Sequence, residues 1–174
     1  MLRSAVLNVM VQAALKAGRS LKRDFGEVER LQVSVKGPAN FVSAADTRAE
    51  QVLRAELEKA RPGYGFLGEE FGLHEGSDRT HTWIVDPLDG TTNFLHGIPQ
   101  FCISIALQRE NTIVAAVVYN PVLDELFTAE RGKGAMLNDR RLRVAARTRL
   151  ADAVVACGLP HRGRGDLGLF RREF

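Results

Sequence analysis

Carboxylates at three places in this 174-residue chain have the types and spacing for metal chemistry. Gly68-Glu69-Glu70 follows an apolar stretch, Asp86-Pro87-Leu88-Asp89 closes the run Trp83-Ile84-Val85, and Asp46 stands upstream of both. Hard cations such as Mg²⁺ take carboxylate, carbonyl and water oxygens. Pro87 restricts the backbone and removes one amide donor. A turn at 86–89 is therefore expected to aim both aspartates and the Leu88 carbonyl at one point. Two carboxylates beside an apolar strand need a cation or donors to offset lost hydration. Gly90-Thr91-Thr92-Asn93 follows at once. Glycine permits a tight bend, and Thr91 or Thr92 is placed to start a short helix whose free N–H groups attract an anion. Cation ligands followed by an anion cradle suit phosphoryl transfer, where cations stabilise the attacking and leaving oxygens. Taken alone, Glu69-Glu70 reads as a solvated acidic turn, and its pairing with the 86–92 string raises it to a candidate. Asp46 alone reads as a helix cap, but Thr47 can do that job through a capping box, which leaves Asp46 a candidate. No Gly-Lys-Ser/Thr phosphate loop is present, so P-loop nucleotide hydrolysis has no support.

The elements that must position these groups are legible in outline. Leu7, Met10, Val11, Ala14, Gly18, Leu21 and Phe25 recur at helical spacing. Thr47-Arg48-Ala49-Glu50 has the form of a capping box, followed by the apolar face Ala49, Val52, Leu53, Leu57 and Ala60, with Pro62-Gly63 as a stop. The first third therefore predicts helix. Strands are predicted at Gly65–Leu67, Thr82–Val85, Phe101–Gln108, Thr112–Tyr119, Glu125–Ala129, Leu142–Val144 and Ala153–Ala156. Turns fall at Gly132-Lys133-Gly134 and Asn138-Asp139. Two helices before a mostly meandering sheet predict a layered α+β domain over 1–150. Leu167, Leu169, Phe170 and Phe174 look like the opening of a further helix, so 151–174 is expected to begin a second, truncated α/β unit.

Composition narrows the class. The chain is 45% hydrophobic and 26% charged, ordinary for a soluble globular domain. Cys102 and Cys157 offer no Cys-x-x-Cys spacing and are expected to be buried free thiols in a reducing compartment. No apolar run reaches the ~18 residues of a membrane span, and a cytoplasmic location without membrane contact is expected. Residues 1–130 hold 13 Lys and Arg against 17 Asp and Glu, a balance of −4; residues 131–174 hold 11 against 4, a balance of +7. Arg140, Arg141, Arg143, Arg147 and Arg149 could attract RNA or other phosphates, although no aromatic residues interleave with them.

The string Trp83 to Phe94 (Trp-Ile-Val-Asp-Pro-Leu-Asp-Gly-Thr-Thr-Asn-Phe), with Gly68-Glu69-Glu70 before it and His96-Gly97-Ile98-Pro99 and Ser104-Ile105-Ala106 after it, closely resembles the inositol monophosphatase family, nearest its bacterial SuhB-like branch. Lys36-Gly37, Val42-Ser43 and Asp46 also resemble a family segment, with Asn40 where Asp is common, and Gly132–Ala135 is similar to its later hairpin. The resemblance implies the layered sandwich of metal-dependent, lithium-sensitive sugar phosphatases, a homodimer, and hydrolysis of inositol-1-phosphate or a similar monoester. It implies that Glu69, Asp86 and the Leu88 carbonyl hold one Mg²⁺, that Asp86 and Asp89 contribute to a second, and that the amides of Gly90 and Thr91 hold phosphate. Thr91 and Asp46 would orient and help deprotonate the attacking water, with Glu70 in support. The family draws a further aspartate from a Trp-Asp-x-Ala-Ala-Gly motif, whereas the single tryptophan here is Trp83. Either the 174 residues are the N-terminal portion of a longer protein or this version is catalytically crippled, and the unfinished helix at Phe174 favours the first. A haloacid-dehalogenase-type reading of Leu88-Asp89-Gly90-Thr91 fails on spacing, since the residue two before Asp89 is Pro87, not a nucleophilic Asp. The rival of another class is a non-catalytic member that binds RNA or the transcription machinery.

Overall fold

The computed structural model describes residues 3–27, 33–37, 40–156 and 165–173, with the backbone alone for 33–37, 40–43 and 173. Helix α1 spans Ala5–Phe25, capped by the Ser4 hydroxyl, which accepts from the Leu7 amide at 3.2 Å. Its buried stripe includes Leu7, Met10, Val11, Ala14, Gly18 and Leu21, the face expected from the spacing. Helix α2 spans Ala44–Ala60 and packs along α1. Between them, where helix was expected, β1 (Val33–Gly37) and β2 (Asn40–Ser43) form an antiparallel hairpin. The alternating Val-x-Val and Gly-Pro punctuation at 33–38 is a short-range strand signal that the helical spacing on either side obscures.

The remaining strands form one eight-stranded sheet: β3 (Tyr64–Gly68), β4 (Gly72–His74), β5 (Asp78–Asp89), β6 (Cys102–Arg109), β7 (Thr112–Asn120), β8 (Glu125–Glu130), β9 (Gly134–Leu137) and β10 (Arg140–Arg141). From edge to edge the order is β10-β9-β8-β7-β6-β5-β3-β4, with every pair antiparallel except β3 and β5. The helices cover one face, where Trp83, Val85, Ile103, Ile105 and Val117 are buried with Leu53, Leu57 and Phe66. This is the layered α+β arrangement expected.

Two predicted strands are absent. Apart from one bond from the Leu142 amide to the Ala135 carbonyl of β9 at 2.9 Å, Leu142–Val144 and Ala153–Ala156 form no ladder and lie on the surface, with Val144 99% and Val154 92% exposed. Their β-branched residues give local propensity, and without ladder partners that propensity decides nothing. A single 3₁₀ turn (Leu150–Asp152) precedes the second of them. The expected helix opening is helix over Leu167–Glu173. No helix among the described residues is long and apolar enough to cross a membrane.

Candidate active site

β5 carries the site, and it does so as a strand rather than as the expected turn. It continues through Pro87 to Asp89, with one residue too many against β6: Asp86 faces Ser104 while Asp89 faces Cys102. A bulge of this kind re-aims side chains locally. Pro87 has no N–H to give the ladder, and the Leu88 amide donates to Asp86 Oδ1 at 3.1 Å. Leu88 is buried, so its carbonyl is anchored from behind. Beyond Asp89 the chain bends at Gly90, whose φ of 95° is left-handed. A Cβ there would lie 2.9 Å from the Gln100 carbonyl oxygen and 3.2 Å from Phe101 Cα, so only glycine fits. The short helix α3 (Thr91–Leu95) starts there, as expected, and the Thr91 hydroxyl donates to the Leu88 carbonyl at 2.9 Å.

Glu69 arrives from the neighbouring strand. β3 pairs in parallel with β5 as far as Gly68 opposite Val85, which leaves Glu69 beside Asp86. The register sets the two carboxyl groups side by side, close enough for the Glu69 charge to act on Asp86. Burial, the charges of Glu69 and Asp89 and the shared hydrogen bond with Glu69 together push Asp86 up to about 7. Burial and the Asp89 and Asp86 charges push the Cys102 thiol up to about 11. Cys102 is half-buried with Sγ 3.7 Å from Asp89 Oδ2, so the fully buried thiol expected is corrected; Cys157 lies outside the described residues. A partly buried Asp86 beside the exposed Glu69, two carboxylates that repel each other, is a donor pair a divalent cation fits.

The expected ligands are not all drawn together. Asp89 is exposed and turned toward Cys102, and among the described residues no three His, Cys, Asp or Glu side chains form a group able to hold a metal ion. What is brought together is the Glu69 and Asp86 pair, while the Leu88 carbonyl, two residues on, accepts from the Thr91 hydroxyl. Asp46 is 1% exposed in the first turn of α2, the helix that packs on β5. The side chains of Lys36, Asn40, Val42 and Ser43 lie outside the described residues, as does His161. Trp83 is core, and His96 is the exposed C-cap of α3.

The capping box is a correction that exposes a missed residue. α2 begins at Ala44, so Thr47 and Glu50 lie inside it. Glu50 is fully buried: its Oε2 accepts from the Glu70 amide at 2.7 Å and its Oε1 from the Phe71 amide at 3.0 Å. The signal was present, because 46, 50, 53 and 57 recur at helical spacing on the buried stripe that Ala49 shares.

The inositol monophosphatase family model matches residues 2–167. The chain belongs to this family. An inositol-1-monophosphatase of Mesorhizobium japonicum is 68% identical over 99% of this chain, and the chain spans 65% of that relative's length. The Nus factor SuhB of Escherichia coli is 40% identical over 91% of the chain and 60% of its own. Among solved inositol monophosphatase folds, the extragenic suppressor protein suhB of Bartonella henselae superposes with a TM-score of 0.90 at 65% identity, over 92% of this chain and 62% of that one. The IMPase of Thermotoga maritima gives 0.74 at 34% identity, over 80% and 54%. The sugar-phosphatase sandwich expected from the motif is thus the fold of this family member.

Proposed function

We propose that the protein is a Mg²⁺-dependent phosphomonoesterase acting on inositol-1-phosphate or a similar small polyol phosphate. The observation that carries this reading is the Glu69–Asp86 carboxyl pair set side by side by β3 and β5, one bend before Gly90-Thr91. Glu69, Asp86 and Leu88 would hold the first cation, and Asp86 with Asp89 would contribute to a second. Bound there, Mg²⁺ supplies Lewis acidity to the ester phosphate and charge for the leaving oxygen. The amides of Gly90 and Thr91 bind the phosphate, fixed by a backbone that glycine alone permits. The Thr91 hydroxyl and the Asp46 carboxylate orient the attacking water and accept its proton; Glu70 borders the site. Exposed apolar residues Val144, Leu150, Val154 and Val155 support a homodimer, and residues 151–174 are the beginning of a second α/β unit. The free Cys102 thiol fits a reducing, cytoplasmic setting.

Hydrolysis of inositol-1-phosphate against Mg²⁺ concentration, with the full-length protein, tests this. Thr91→Ala should lower kcat by roughly 10²–10⁴-fold, the range for a positioned proton-transfer group, with metal affinity little changed. Asp86→Asn should remove nearly all turnover and weaken Mg²⁺ binding. Near-normal kcat in the first variant, or metal and activity both retained in the second, overturns the assignment.

A second reading, a module binding RNA or the transcription machinery, is favoured by the exposed Arg140, Arg141, Arg143, Arg147 and Arg149, and by relatives named Nus factor SuhB. Salt-dependent RNA retention lost on replacing these arginines, in a preparation without phosphatase activity, would place it first.

A further inference from the structure

Three amides follow Gly68 in the tight turn between β3 and β4, where Glu69, Glu70 and Phe71 connect Gly68 to its ladder partner Gly72. A three-residue turn at a sheet edge has little to define the direction of its side chains. Here two of its amides end on one buried carboxylate from α2, one oxygen to each: Glu70 N to Glu50 Oε2 at 2.7 Å and Phe71 N to Glu50 Oε1 at 3.0 Å. The fit is close. A Cβ on Gly68 would lie 2.0 Å from Glu50 Oε1 and 2.5 Å from Cδ, so the carboxylate occupies the space that any larger residue at 68 would need. Glu50 itself has no exposed surface. A buried carboxylate costs folding free energy unless it is well bonded, so a leucine or alanine would be the simpler occupant of this stripe position.

We infer that Glu50 is a positioning residue for the cation site: by clamping the amides of Glu70 and Phe71 it holds the turn so that the Glu69 carboxyl meets Asp86. The inference rests on the phosphatase reading and extends it to a residue that touches neither cation nor substrate. It also ties two parts of the site to one rigid body, because Asp46 lies four residues before Glu50 on the same buried face of α2. The water-orienting carboxylate and the clamp on the turn that carries Glu69 are then one turn of the same helix apart.

Isothermal titration of the full chain with MgCl₂ tests this without any activity measurement. Wild type, Asp86→Asn, Glu50→Gln and Glu50→Ala are compared, each shown to be folded by circular dichroism and a cooperative melt. Glu50→Gln keeps the volume but turns an NH₂ group toward one of the two amides, so only one clamp bond survives. The inference expects Mg²⁺ affinity to fall by about tenfold or more in Glu50→Gln and further in Glu50→Ala, as when a hydrogen bond that orients a metal ligand is removed. A smaller loss in the folded Glu50→Gln protein, with binding still abolished by Asp86→Asn, overturns the inference alone. Loss of fold in both Glu50 variants also overturns it, assigning Glu50 a purely structural role. Wild type that binds no Mg²⁺, or binding unaffected by Asp86→Asn, sinks the phosphatase site itself and the inference with it.

Discussion

At the scale of single residues, the site depends on a backbone conformation that most side chains resist. Gly90 has φ 95° and a carbonyl 2.9 Å from where a Cβ would stand. Gly90→Ala should cost at least about 1–2 kcal/mol from the left-handed backbone alone, read as a lower urea midpoint; an unchanged midpoint would show that the loop yields. Asp86 gives a pH dependence of defined sign. Its pKa is raised in the folded protein, to about 7 from 3.8, so the folded state holds a proton that the unfolded state has released. The stabilising contribution is full below about pH 4 and is lost as pH rises through 7. In chelator, the melting temperature should carry a downward component between pH 4 and 7 that Asp86→Asn removes and Mg²⁺ suppresses. A profile identical in wild type and Asp86→Asn would show that the pair is not strained.

At the scale of elements, the loops that frame Gly90 are held by a buried amide. Asn120, at the end of β7, accepts from the Val122 and Leu123 amides at 3.0 Å each and donates to the Pro99 carbonyl at 3.2 Å. It thereby fastens the β7–β8 turn to the segment entering β6. Asn120→Ala leaves three backbone groups to find water and should cost about 1–3 kcal/mol in equilibrium unfolding; a loss under half of that would mean solvent replaces the side chain freely. Elements with a strong period were legible in the sequence, α1 from its apolar stripe and β6 from strict alternation at Phe101–Leu107. The acidic string was legible as a donor set, because Asp86, Leu88 and Asp89 are close along the chain whatever the fold. Its geometry was not. Whether Pro87 makes a turn or a bulge depends on β6 alongside, and the function of Glu50 depends on a turn twenty residues away. Leu142–Val144 and Ala153–Ala156 failed for the complementary reason: past the single bond from Leu142 to β9 no neighbour continues a ladder, and strand propensity alone is no strand.

At the scale of the whole molecule, the sheet is unevenly knit. From β5 to β10 each strand pairs with its successor through antiparallel ladders. The β3–β5 pair is parallel and is reached only by passing around the β4 edge. Local pairings form early and parallel ones late. Glu69 and Asp86 sit on opposite sides of that seam, so a seam that closes late would bring the two carboxylates together only after the barrier to folding has been crossed. A ligand that bridges them can act on one direction of the reaction only. Mg²⁺ should therefore slow unfolding in stopped-flow denaturant jumps while leaving the refolding rate unchanged. Faster refolding with Mg²⁺ would place the seam in the nucleus. On this account the cation's contribution lies in the lifetime of the native chain rather than in how quickly it is reached.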